Sequence, residues 1–170
     1  MRTIATRKVA QAVVLTALAV ALSPFFTPIG ITKVYPAQHM VNVLSAVLLG
    51  PWYAAAVALA AGIIRNALGT GTVFAFPGGM IGAFLAGLVF RYTRNFYFAA
   101  LGEVVGTGLI AATVSALLVG PIFLGKSMPL LTFIVSFSAS TIAGSVIGVL
   151  GLLALRRAGY LPMETEAQGR

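Results

Sequence analysis

The chain has 170 residues, 59% of them hydrophobic and only 8% charged, with a net charge of +8 and no cysteine. A soluble domain carries about 25% charged residues, so this chain cannot cover itself with a solvated surface. The missing thiols exclude disulfides, thiolate metal sites and cysteine nucleophiles. The basic residues stand at the ends of apolar segments rather than along one solvated face, a placement expected at membrane borders and not for nucleic-acid binding.

Arg7-Lys8 followed by the apolar run 9–22 has the charge and core of a secretory signal. No convincing small-residue cleavage site precedes Pro24, and further apolar segments follow, so the run reads as a retained first helix over residues 8–25. Residues 23–38, with three prolines and Lys33, read as a long outer loop. Gly50-Pro51 then cuts one apolar run, giving a short helix over 38–49 and another over 51–67. The Gly69-Thr70-Gly71-Thr72 and Pro77-Gly78-Gly79 clusters set off a second outer loop over 69–76 and a helix over 77–91. Two further helices are predicted over 96–119 and 130–155, within a single membrane domain over 1–162, followed by a polar tail over 163–170.

The helix over 38–49 would rise only about 18 Å, less than the roughly 30 Å hydrocarbon core of a bilayer. One long helix through Pro51 would give five spans instead of six. The charges decide between the two. With six spans, Arg2, Arg7, Lys8, Arg91, Arg94, Arg156 and Arg157 fall on one side, and Lys33, Lys126 and Arg65 toward the other. The positive-inside rule therefore favours six spans with both termini cytoplasmic. Tyr92, Phe96, Tyr97 and Phe98 form an interfacial belt on that side, and Trp52 joins it.

Lipid gives apolar helices no hydrophobic reason to associate, so small residues that let backbones approach matter more. The fourfold ladder Ser136, Ser140, Gly144, Gly148, the pairs Gly102/Gly106 and Gly78/Gly82, and Ala17/Ala21 near the N-terminus all have this spacing.

The polar residues left inside the spans need a reason, because an ionisable group at the bilayer centre costs about 2.5–3.5 kcal/mol. Glu103 is the only acid before the tail, with Thr107 one turn on. Either it accepts hydrogen bonds from a ligand and organises a pocket floor, or it pairs locally near the cytoplasmic interface. Arg65, beside Asn66, either reaches a ligand or extends to the outer surface. Counted by rise per residue from their own helix ends, Glu103 and Arg65 lie at different depths, which argues against a direct pair. His39 and Asn42 share a helical face at the expected outer level of the membrane, with Gln38 beside them. They offer donors and acceptors without fixed charge, suited to a small heteroaromatic ligand, and no second His, Cys or acid stands near enough for a metal. Asn66, Thr70 and Thr72 close the outer end of the third helix, and Tyr35 in the first outer loop is placed to stack on a ligand. The chain has no phosphate-binding Gly-Lys-Ser/Thr loop and no nucleophile-base-acid set with convincing spacing, so it does not hydrolyse ATP itself, and it is not read as an enzyme.

The segments Lys33-Val-Tyr-Pro-Ala-Gln-His-Met-Val-Asn42, Leu48-Leu-Gly-Pro-Trp-Tyr53, Arg65-Asn-Ala-Leu-Gly-Thr-Gly-Thr72, Ala75-Phe-Pro-Gly78 and Leu101-Gly-Glu-Val-Val-Gly-Thr107 resemble the ThiW family. That resemblance covers nearly the whole chain. It implies the substrate-binding (S) subunit of an energy-coupling factor (ECF) transporter, an all-α bundle of six transmembrane helices with a ligand pocket near the outer face, covered by the first and third loops. It implies uptake of a thiamin precursor, hydroxyethylthiazole, and partnership with a transmembrane coupling subunit and two ATPase subunits. The chain itself then needs no cofactor. It would sit in the plasma membrane of a prokaryote and topple to release its ligand inside. By the same resemblance His39, Asn42 and Asn66 fall at pocket positions. The coupling subunit would meet the first helix through an Ala-x-x-x-Ala pattern, matched either by Ala17 and Ala21 or, one turn earlier, by Val13 and Ala17. An S component for another vitamin, and a membrane scaffold whose polar residues are structural, are the other readings of the same residues.

Overall fold

The computed structural model describes residues 2–29, 32–125 and 129–161. Lys126, the tail over 163–170 and the side chains of Arg2 and Lys33, all expected above to mark membrane borders or a frayed end, lie outside the described residues. The described chain forms helix α1 (Arg2–Ala21), a hairpin of strands β1 (Thr27–Ile29) and β2 (Thr32–Val34), then α2 (Pro36–Leu49), α3 (Pro51–Ala67) and α4 (Ala75–Thr93). The long helices α5 (Phe96–Leu124) and α6 (Leu130–Arg157) follow.

Three of these differ visibly from the sequence expectation. The helix expected over 8–25 ends at Ala21, because residues 22–24 close a turn with Ser23 N–H donating to Val20 O and the chain then enters β1. The loop expected over 23–38 holds an antiparallel hairpin in which Thr27 faces Val34 and Ile29 faces Thr32, and Pro36 already opens α2. Proline is favoured there, since its missing N–H is one the first turn cannot use. The helix expected to stop near residue 119 runs on to Leu124. It does so through two wide-turned π stretches, Gly106–Ala111 and Ser115–Val119, and ends at Gly125 with φ +62°. Pro121 within it is accommodated just after the second wide stretch.

Gly50, with φ +90°, is the whole connection between α2 and α3, and Pro51 starts the second of them. Asn95 accepts hydrogen bonds at the start of α5 from the backbone N–H groups of Tyr97 (2.8 Å) and Phe98 (3.4 Å). This satisfies donors that a helix N-terminus otherwise leaves open. With such short connections the helices alternate in direction. One end of the bundle carries Arg91, Arg94, Arg156 and Arg157, and the other carries the hairpin and the α3–α4 connection.

The polarity of the bundle is inverted relative to a soluble protein. On α6, Leu131, Val135, Ile142, Val146 and Leu150 are exposed, while Ser136, Ser140, Thr141 and Ser145 are buried. An outer surface of this kind suits lipid and not water. Helices α4, α5 and α6 are each long and apolar enough to cross a membrane.

Small residues bring the helices together. Ala46, Ala54, Ala58, Ala83 and Ala86, all at most 1% exposed, make the contact among α2, α3 and α4. A Cβ placed on Gly87 would lie 2.5 Å from Pro51 Cα, and one on Gly106 would lie 2.9 Å from Gly82 Cα. Gly144 and Gly148 of α6 admit the backbone of α2 in the same way. The contact at Gly144 is with Pro36 and His39, the first turn of α2, and Gly144 lies midway along the 28-residue α6. Helix α2, about 21 Å long at 1.5 Å per residue, therefore begins level with the middle of the bundle, and everything on its first turn sits at that depth.

Candidate functional site

That placement corrects the depth expected for His39 and Asn42. Both lie inside the bundle rather than at its outer level, because α2 starts deep. His39 Nδ1 is 2.8 Å from Glu103 Oε1, and Asn42 Nδ2 donates to the same oxygen at 2.9 Å and to Gly79 O at 3.2 Å. Thr107 Oγ1 lies 3.1 Å from Glu103 Oε1 and donates to Gly78 O at 2.8 Å. Glu103 is 0% exposed, so it neither faces the interface nor pairs with Arg65. It gathers the two donors of α2, from His39 and Asn42, onto one oxygen. A carboxylate oxygen only accepts, so His39 donates from Nδ1, and Nε2 is the ring nitrogen left for another partner.

Glu103 fits there because position 82 has no side chain. A Cβ on Gly82 would lie 2.0 Å from Thr107 Oγ1 and 2.6 Å from Glu103 Oε2. The first π stretch of α5 opens three residues after Glu103 and contains Thr107. Such wide turns recur at functional sites because they re-aim side chains within a helix.

Above this cluster is a cavity of about 200 Å³. Its polar lining comes from Tyr35, Gln38 and His39 at the start of α2, Arg65 at the end of α3, Thr72 in the following connection, Thr107 of α5 and Ser140 of α6. Its apolar lining is aromatic. Phe133 packs edge-on against Phe74 (4.8 Å, 72°) and against Phe137 (5.6 Å, 71°).

Arg65 is 1% exposed and does not reach for the surface. Its Nη1 donates to Gln38 Oε1, and its guanidinium lies 4.4 Å from the centre of the Tyr35 ring. Tyr35 is held by its backbone N–H donating to Ser140 Oγ (3.1 Å) and by its hydroxyl donating to Thr70 O (3.2 Å). The Tyr35 ring thus faces the Arg65 guanidinium and lies tilted against Phe26 beside the hairpin (5.6 Å, 45°).

The expected site residues thus divide. Tyr35, His39, Arg65, Thr72 and Thr107 line the cavity. Asn42 and Glu103 stand one layer behind it, and Asn66 and Thr70 build its cover. Asn66 Nδ2 donates to Gly62 O (2.8 Å) and Thr72 O (3.1 Å), tying the end of α3 to the connection that follows. Thr70 Oγ1 donates to Arg65 O at 3.2 Å and sits 3.0 Å from Ser23 Oγ. Sequence reasoning did not single out Gln38, Phe74, Phe133, Phe137 or Ser140 as site residues. The available signal was that Phe133 and Phe137 share the stripe of α6 that carries Ser136 and Ser140.

On α1, Val13, Ala17 and Ala21 are exposed on one face, opposite the buried Leu15 and Ala19. They line an apolar groove beside Tyr53, Ala56 and Ala60 of α3.

Among the described residues no group of three or more His, Asp or Glu side chains gathers in one place. Comparison with curated proteins finds no match. The family model described as thiamine-precursor transporter protein (ThiW) matches the chain over residues 9–158.

Proposed function

Because the chain belongs to the ThiW family of thiamine-precursor transporter proteins, we propose that it is the substrate-binding subunit of an ECF-type importer and that it captures a thiazole-type precursor such as hydroxyethylthiazole. The observation that carries this reading is the mixed lining of the cavity, which brings three phenyl rings together with His39, Gln38 and Arg65. Its volume of about 200 Å³ lies below the roughly 300–1,000 Å³ of sites for drug-sized ligands, which favours a one-ring compound over a two-ring vitamin. The thiazole ring packs on the aromatic wall, and the ligand hydroxyl donates to His39 Nε2. Tyr35, Thr72 and Thr107 complete the wall, while Asn42, Glu103, Asn66 and Thr70 hold it in shape.

In this reading the six helices are embedded in the plasma membrane of a prokaryote with both termini cytoplasmic, α2 reaching only from the middle of the bundle to its cytoplasmic end. The distribution of Arg7, Lys8, Arg91, Arg94, Arg156 and Arg157 supports that orientation through the positive-inside rule. The exposed stripe of Val13, Ala17 and Ala21 is small and apolar enough for a helix of the coupling subunit to lie along it. Two partner ATPases supply the energy, and the chain carries no cofactor of its own.

The test is calorimetric binding to the purified protein with hydroxyethylthiazole, the pyrimidine precursor, thiamin and riboflavin. The thiazole alcohol is expected to bind with 1:1 stoichiometry and about tenfold or more tighter than any other compound. Preferential binding of another vitamin would make the chain an S component of different specificity. Binding of none would leave a scaffold role.

A further inference from the structure

Arg65 is the feature of the cavity that a neutral thiazole alcohol does not explain. The guanidinium keeps its charge in proteins and offers five N–H donors in a rigid fork, and taking such a charge out of solvent is costly unless it is paired. Here it is almost fully buried and surrounded by neutral partners. One N–H is taken by the amide oxygen of Gln38, and the Tyr35 ring supplies a cation–π contact. Nε has no hydrogen-bond partner at all. The last turn of α3 adds only the partial negative charge of a helix C-terminus. Glu103, the only carboxylate among the described residues, meets His39, Asn42 and Thr107 through Oε1, its Oε2 has no hydrogen-bond partner and packs toward Gly82, and Arg65 takes part in no ion pair there.

A structural role does not account for this arrangement. The end of α3 is already closed through backbone, since Arg65 O accepts from the N–H groups of Thr70 and Gly71 at 2.9 Å each. Holding Gln38 and Tyr35 would not require a side chain whose charge goes unanswered and whose Nε faces no acceptor.

We propose that Arg65 is a specificity determinant that receives an anionic group of the ligand, a carboxylate or a phosphate monoester carried on the one-ring heteroaromatic compound. This rests on the thiazole reading given above and narrows it to acidic thiazoles. Arginine answers both groups in the same way, through paired N–H donors to two oxygens.

The experiment is calorimetric titration of the purified full chain with four probes. These are hydroxyethylthiazole, its O-phosphate, its ring 2-carboxylate and the neutral 2-carboxamide of the same size. At least one of the two anions is expected to bind tenfold or more tighter than both neutral compounds. That advantage should disappear in Arg65→Gln and be partly retained in Arg65→Lys. Which anion wins identifies the acidic group. If neither anion outbinds the neutral probes, the inference is overturned while the thiazole reading stands. If no thiazole of either charge binds, both are overturned. An anion preference that survives undiminished in Arg65→Gln also overturns it. Should Arg65→Gln fail to fold, the wild-type ratio of carboxylate to carboxamide and the Arg65→Lys variant decide the matter.

Discussion

Glu103→Ala is expected to lower the unfolding free energy by about 2–6 kcal/mol, the cost of leaving two buried N–H donors without an acceptor. The size follows from what is left behind. His39 and Asn42 both direct N–H groups at Glu103 Oε1 in a bundle where water cannot replace it. Each buried unmet donor costs about 1–3 kcal/mol, and the vacated volume adds to that. Thr107 suffers less, because Gly78 O also accepts from it. Glu103→Gln keeps an acceptor in the same place and is expected to cost only about 1–2 kcal/mol, the difference between charged and neutral hydrogen bonds. Denaturant titration in mixed micelles reads both values. An alanine variant as stable as the wild type would mean that the carboxylate does not organise the three elements around it.

Gly144→Ala is the second large effect. A Cβ there would lie 2.2 Å from Pro36 O, 2.6 Å from His39 Cβ and 2.9 Å from Met40 N. Two of these three are backbone atoms, so no flexible side chain can swing away and α2 must move off α6. Overpacking of this kind costs about 1–3 kcal/mol. The displaced turn is also the one that carries His39, so ligand affinity should fall together with stability. Gly151→Ala on the same helix provides the contrast. Its nearest neighbour would be Leu44 Cδ2 at 3.6 Å, ordinary contact. Alanine's better helix propensity should leave that variant neutral or up to about 1 kcal/mol more stable. Equal effects at the two positions would refute the close approach of α2 and α6.

The contrast also shows what could be read from the residues alone. Punctuation was legible: Gly50-Pro51 separates α2 from α3 because glycine supplies φ +90° and proline opens a helix, and both are recognisable without coordinates. The polar residues worth attention were legible too, because charge inside an apolar span is rare enough to mark itself. What the residues could not show was depth. Counting rise from each helix's own end assumes that every helix starts at the membrane surface, and α2 does not. Its first turn meets the middle of α6, so His39, expected at the outer level, reaches Glu103 inside the bundle. The aromatic wall was hidden for a different reason. Phe74, Phe133 and Phe137 are ordinary residues for an apolar helix, and only the packing shows that they face a cavity rather than lipid. The π stretches of α5 leave no pattern in composition, since Gly, Thr, Ala and Ser suit a tight and a wide turn equally well.

In the proposed reading a thiazole compound is held in the cavity between α2, α3, α4, α5 and α6, with His39 as the contact set by Glu103. That reading is tested most directly by measuring thiazole binding to the wild type and His39→Ala side by side, together with their ligand-free unfolding midpoints. The account predicts saturable 1:1 binding to the wild type and a loss of about tenfold or more in His39→Ala, the equivalent of about 1.4 kcal/mol. Thiazole at a fixed concentration is also expected to raise the unfolding midpoint of the wild type more than that of the variant. Undiminished affinity in His39→Ala, with the thiazole raising that variant's unfolding midpoint as much as the wild type's, would contradict the account.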